Sequence, residues 1–123
     1  MIYLLIAAGG AAGAVSRYVV DGSLTRWLGG SFPMGTLVVN LSGSFVLGIL
    51  FALVIERSSL PAGVREPVMI GFIGAYTTFS TWMLESARLM EDGAWLLAAA
   101  NLSGAVLLGL IAVFAGLAVG RAI

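Results

Sequence analysis

The stretch GAYTTFSTWMLE, residues 74–85, sets four hydroxyl side chains, Thr77, Thr78, Ser80 and Thr81, around Phe79 and Trp82 in the middle of a strongly apolar chain. The charge-free segment that contains it, residues 67–84, is just long enough to cross a hydrocarbon core, which takes roughly 20 helical residues. It holds no Leu between Pro67 and Met83, and it concentrates β-branched hydroxyl residues where a membrane helix should be most regular. Two readings are open. In one, the helix is unbroken and each Thr or Ser bonds the carbonyl one turn back. In the other, the helix is discontinuous near residues 74–78 and the hydroxyls satisfy the backbone groups that the break frees. The second is the expectation taken forward, because a break in lipid exposes carbonyls that can hold a cation and hydroxyl hydrogens that can meet an anion.

Outward from this segment, three further stretches lack Asp, Glu, Lys and Arg: residues 1–16, 27–55 and 93–120. Of the 123 residues 60% are hydrophobic and 10% charged, with a mean hydropathy of +1.08. A soluble domain carries about 25% charged residues. Four spans consume almost the whole chain and leave no room for a soluble domain, and open sheet edges are not tolerated in lipid. The expected fold is an all-α membrane protein, one domain over residues 1–123, with four transmembrane helices and the third broken near its middle. The opening residues lack the basic start of a secretory leader. The chain has no Cys and no His, which removes disulfides, thiolate metal sites and the commonest general base. An enzyme is not expected.

The first span is expected over residues 2–27, its second half carrying Arg17 and Asp21 as an i,i+4 pair. Gly29, Gly30 and Pro33 break the chain. The second span follows over 32–55 and ends in Glu56, Arg57, Ser58, Ser59 and Pro61. Pro67 suits the first turn of the third span, which ends near Glu91, Asp92 and Gly93. The fourth starts near Ala94. Four crossings put Arg57, Arg65 and Arg121 on one side, and Arg26 and Arg88, with Arg17 if it snorkels, on the other. Lys and Arg bias sets topology, so a chain this balanced either inserts both ways, pairing with an inverted copy of itself, or takes one orientation from a cause outside this tally. An inverted pair builds a permeation path from a short chain as inverted repeats do in transporters.

Small residues at Gly9 and Gly13, Ser44 and Gly48, and Gly116 and Gly120 permit close helix approach. One internal echo stands out: NLSGSFVLGIL, residues 40–50, returns as NLSGAVLLGLI, residues 101–111. Its content is a buried Asn in each copy. Asn40 lies about eight residues into its span, well below the surface at 1.5 Å per residue, where an unpartnered amide is costly. It either ties helices together or lines a polar pathway. Phe79 and Trp82, at i and i+3, either pack or present their positive ring edges to an anion.

Three segments, GAVSRY (13–18), GTLVVNLSG (35–43) and GFIGAYTTFSTW (71–82), resemble in order and spacing the motifs of the Fluc (CrcB-type) fluoride channels. The resemblance covers about the whole chain. It implies a passive, fluoride-selective channel of the cell inner membrane: an antiparallel dual-topology homodimer with two pores that lets fluoride leave the cytoplasm. It implies Asn40 as the fluoride-facing amide, Phe79 and Trp82 as the aromatic box, and Ser80 and Thr81 as a polar track. Gly74 and Thr77 would give main-chain oxygens to a structural sodium ion between the subunits. Arg17 resembles the vestibule arginine and Glu85 the carboxylate near the end of the third span. Its partners would be fluoride, an inverted copy and the bilayer, with no nucleic acid.

These roles agree with the chemistry, since fluoride is compact and strongly hydrated and needs compact donors in place of water. Arg17 either draws anions by its field or snorkels to the interface. Two positions depart from the family pattern: Trp82 stands where a second Phe is usual, and Met83 where Ser is frequent. The indole is larger and adds an N–H donor. Alternatives are a pore-altered subunit of a heterodimeric channel, a small multidrug-type transporter, which would need a membrane carboxylate that the first span lacks before Asp21, and a membrane assembly protein. AAGGAAGA is no dinucleotide loop, lacking the full GxGxxG and its strand-helix setting.

Overall fold

The computed structural model describes residues 1–57 and 61–123. Among these the regular structure is helical: α1 (Ile2–Leu28), α2 (Met34–Leu50), α3 (Ala62–Glu66), α4 (Gly74–Tyr76), α5 (Phe79–Glu91) and α6 (Trp95–Ala122). Two wider, π-type segments continue them: Phe51–Glu56 extends α2, and Pro67–Ile73 runs from α3 into α4 without a break. Ser58 and Ser59, expected in the loop after the second span, lie outside the described residues. Three helical runs are long and apolar enough to cross a membrane: Ile2–Leu28, Met34–Glu56 and Trp95–Ala122.

The turns follow from residue type. Gly29 and Gly30 take φ of 62° and 87°, which favours Gly, and end α1 ahead of Pro33, the cap of α2. Gly93, at φ 74°, turns α5 into α6. Pro67 departs from expectation. The helix enters earlier, through Pro61 at ψ 145°, and Pro67 falls five residues in, where a proline supplies no N–H. The ring is accommodated where the helix widens, from that residue onward.

The expected small-residue pairs are packing sites within one chain. A methyl group on Gly9 or Gly13 would run into the main chain at Pro67 and Phe72, and one on Gly71 into Ile6 and Gly10, so α1 and the Pro67–Ile73 segment touch backbone to backbone. Gly116 and Gly120 meet Phe45, Ile49 and Ala52, while Gly48 meets Val113 and Leu117, which seats α6 on α2. Ser44, expected with Gly48 to admit a neighbouring helix, instead faces a cavity. The hydrophobic core is small, with Val39, Ala52, Val54, Ile73, Leu89 and Ala98 buried, and the outer faces of α1 and α6 expose Leu, Val, Ile, Tyr and Phe. Such an apolar exterior matches hydrocarbon rather than water.

The third helical run, which begins at Ala62, is broken as expected. Thr77 (φ −78°, ψ 158°) and Thr78 (φ −148°, ψ 123°) are both extended, and helix resumes at Phe79. Gly43 makes room for the break, because a Cβ there would collide with the Thr77 methyl and the Tyr76 ring.

Candidate functional site

The break is held by side chains. Asn40, on α2, donates its Nδ2 to the Thr78 carbonyl at 2.9 Å and accepts the Thr78 N–H on its Oδ1 at 2.8 Å. One amide thereby pairs with both main-chain groups of one residue, as a neighbouring strand would. Thr78 also caps α5: its Oγ1 accepts from the Thr81 N–H at 3.3 Å and donates to Thr81 Oγ1 at 3.1 Å. Thr77 bonds back to the Ile73 carbonyl through both its N–H (3.0 Å) and its Oγ1 (3.1 Å). Ser42 and Tyr76 share a hydrogen bond at 2.9 Å, tying the end of α4 to α2.

This arrangement has a consequence at two carbonyls. A continuous α-helix would direct the Thr78 N–H to the carbonyl of Gly74 and the Thr81 N–H to that of Thr77. Here both donors go to side chains, Asn40 and Thr78. The oxygens of Gly74 and Thr77 are two of the carbonyls that lose a helical donor at the break. They are hard oxygen ligands, the type that an alkali or alkaline-earth cation takes.

Two cavities flank the break and meet at Thr78. One, of about 300 Å³, is lined by Asn40, Ser44, Thr77, Thr78, Phe79 and Trp82, with Val106 of α6 among its apolar walls. The other, of about 220 Å³, is lined by Arg17, Tyr18, Asp21, Thr36, Thr78 and Thr81. Phe79 is 68% exposed, and its ring and that of Trp82 meet edge to face, centroids 5.6 Å apart and planes at 76°. Trp82 donates its indole N–H to the Asn101 carbonyl at 3.0 Å.

Most of the residues singled out in the sequence therefore gather around one break. Asn40, Thr77, Phe79 and Trp82 line the first cavity; Thr81 and Arg17 line the second. Gly74 is exposed at the start of α4. Ser80 is exposed and lines neither cavity. Glu85 sits between α5 and α2, where its Oε1 accepts from Thr36 Oγ1 at 2.7 Å and its Oε2 is buried without a protein partner. Arg17 and Asp21 share a cavity wall but form no ion pair. The ion pair among the described residues is Arg121 with Glu56, in a two-pronged contact of 2.6 and 3.0 Å, and Arg57 adds a bond to the Arg121 carbonyl. Sequence reasoning gave no site role to Thr36, Ser86 and Asn101, and named Thr78 only among the hydroxyls at the break. Thr36 and Thr78 lie inside the quoted motifs, and the NLSG echo pointed to Asn101.

A family profile described as CrcB-like protein, Camphor Resistance (CrcB), matches residues 4–117. The chain belongs to the CrcB-like family. Among its relatives is the Fluoride-specific ion channel FluC of Magnetococcus marinus, 49% identical over 118 residues that cover 96% of each chain. A protein of the same name from Maridesulfovibrio salexigens is 46% identical over 121 residues, 98% of this chain and 96% of its own. A third, from Methylococcus capsulatus, is 50% identical over 116 residues, which are 94% of this chain and 51% of that protein. This member of the CrcB-like family is a multi-pass membrane protein, and its family is one of ion channels rather than enzymes.

Proposed function

We propose that the protein is a fluoride-selective channel in the cell inner membrane, working as an antiparallel homodimer of four-span subunits with two pores. The relatives' names supply the ion. The observation that carries the path is the pair of cavities meeting at Thr78, where a helix break puts amide, hydroxyl and ring-edge donors within one apolar wall. The fourth crossing is the broken run itself, and the near balance of arginines across the two loop sets supports insertion both ways.

In this reading an anion sheds water against donors in sequence. Arg17 raises the local anion concentration at the mouth of the second cavity by its field. Thr81 and Thr78 offer hydroxyls, and Asn40 offers the Nδ2 hydrogen that remains when the other is bonded to Thr78. Ser80, which lines neither cavity of a single chain, joins the track if an inverted copy covers its face. Phe79 and Trp82 turn ring edges toward the ion, whose positive rim favours an anion without offering it a tight trap. Weak, multiple sites are what conduction requires. No coupling ion is needed for export. A charge crossing 100 mV gains about 2.3 kcal/mol, which holds a steady-state anion ratio of about fiftyfold.

A structural sodium ion fits the same frame. The Gly74 and Thr77 carbonyls, deprived of helical donors, are its ligands in this reading, contributed by both subunits across the dimer axis. Bound there, the ion would neutralise carbonyl repulsion between two breaks. The pore donors of this chain act independently of it.

The test is fluoride efflux from liposomes holding the purified protein alone, with potassium and valinomycin setting the voltage. Rapid fluoride loss with chloride retained is the expected result. Retention of both anions by well-folded dimers would overturn the reading of a homodimeric channel and turn attention to a subunit that needs a different partner.

A further inference from the structure

The echo at Asn101 and the departure at Trp82 meet in one network that the proposed permeation path does not use. Asn101 is 1% exposed on α6. Its Nδ2 donates to Ser86 Oγ at 3.0 Å, Ser86 Oγ donates to the Trp82 carbonyl at 2.8 Å, and the Trp82 indole N–H donates to the Asn101 carbonyl at 3.0 Å. The three bonds close a loop between α5 and α6, running from one side chain out through the serine and back through the indole. Ser86 has a single hydroxyl hydrogen, engaged by the Trp82 carbonyl, so only the amide hydrogens of Asn101 can complete the link. The Asn101 Oδ1 is buried without a partner.

We infer that Asn101 is a positioning residue for ion selectivity: its amide ties α5 to α6 through Ser86, which keeps the main-chain carbonyl of residue 101 within reach of the Trp82 indole, so that the N–H faces α6 and ring carbon lines the cavity. Trp82 then meets the ion as a phenylalanine would, edge-on beside Phe79. The larger ring adds bulk to the wall without adding a donor. Were the loop opened, α5 would lose its tie to α6 at this turn, and the indole could swing its N–H into a cavity that already holds the Asn40 amide. An added donor in a widened cavity serves a large, weakly hydrated anion as well as a small one. The predicted consequence is lost discrimination rather than lost flux. Both echo asparagines reach the third run: Asn40 clasps it at its break from α2, and the Asn101 amide ties it at Ser86, about two turns later, from α6.

This inference rests on the proposed channel function, and the experiment separates the two. Asn101→Leu keeps the branching at Cγ, removes the unpartnered Oδ1, cuts the tie to Ser86 while the main-chain carbonyl of residue 101 stays, and leaves Ser86 still bonded to the Trp82 carbonyl, so the fold has no new orphan to accommodate. In liposomes, Asn101→Leu is expected to lower the fluoride-to-chloride flux ratio about tenfold when Trp82 is present and by less than about twofold in a Trp82→Phe background, the size of coupling that contacting residues show. Ser86→Ala should reproduce the Asn101→Leu effect and not add to it. Equal losses in both backgrounds would mark Asn101 as merely structural and overturn the inference. With Trp27 and Trp95, the other two tryptophans, replaced by Phe, Trp82 emission should shift to the red and lose anisotropy on Asn101→Leu. An unchanged spectrum would also overturn it. Fluorescence needs no flux, so a protein that passes no fluoride while its Asn101→Leu variant shows this shift would count against the channel reading and not against the clasp.

Discussion

Asn40 is a residue with two tasks on one amide. Its bonds to Thr78 replace the peptide pairing lost at the break, and its remaining hydrogen is open to the cavity. Asn40→Asp keeps the acceptor for the Thr78 N–H but sets a carboxylate against the Thr78 carbonyl. Losing this donor leaves a part-buried carbonyl unsatisfied at about 1–3 kcal/mol. We expect fluoride flux to fall about a hundredfold, the equivalent of 2.7 kcal/mol, while dimers still assemble on a sizing column. Retained flux would remove Asn40 from the path. That Asn40 needed partners was legible in the sequence, since a mid-span amide must find some. Which partners it found was not, because Thr78 lies 38 residues away and its peptide becomes available only through the break itself.

At the scale of the element, the broken run is readable for a physical reason: hydroxyl side chains that can bond locally replaced Leu at the positions where an unbroken helix would have packed. Thr78 does what a capping residue does, and Thr78→Val removes both its hydrogen bonds to Thr81. A lost N-cap costs about 1 kcal/mol. The expected outcome is a lower melting temperature in detergent, with flux reduced because α5 begins less sharply; an unchanged melting temperature would show that Asn40 alone holds the break. Small residues were legible as packing surfaces, but their partners were not. Gly13 meets the Phe72 carbonyl and Gly116 that of Phe45, so larger side chains would press on backbone that has nowhere to move. Gly13→Val and Gly116→Val should each destabilise by about 1–3 kcal/mol or abolish folding, read as loss of the monodisperse peak. The widened turns at Phe51–Glu56 and Pro67–Ile73 left no comparable mark in the sequence, apart from the proline whose missing N–H opens the second.

At the scale of the molecule, composition announces the solvent and charge balance announces the choice of orientation. The sequence has no Cys, so a single Ser31→Cys in the exposed turn after α1 gives a clean topology probe. An impermeant maleimide applied to sealed cells should label about half of it, as expected where Arg bias is absent. Full labelling or none would mean a single orientation. The freed carbonyls of Gly74 and Thr77 predict a second global effect: exchanging sodium for a large organic cation should weaken the dimer or its flux, and no effect would count against the cation site.

The most direct measurement is electrical. With purified protein in a planar bilayer and a tenfold fluoride gradient, a passive fluoride channel reverses near the fluoride equilibrium potential, about 59 mV, and holds that value when chloride or pH gradients are imposed. Reversal that follows chloride or protons, or silence from well-folded protein, would contradict the account.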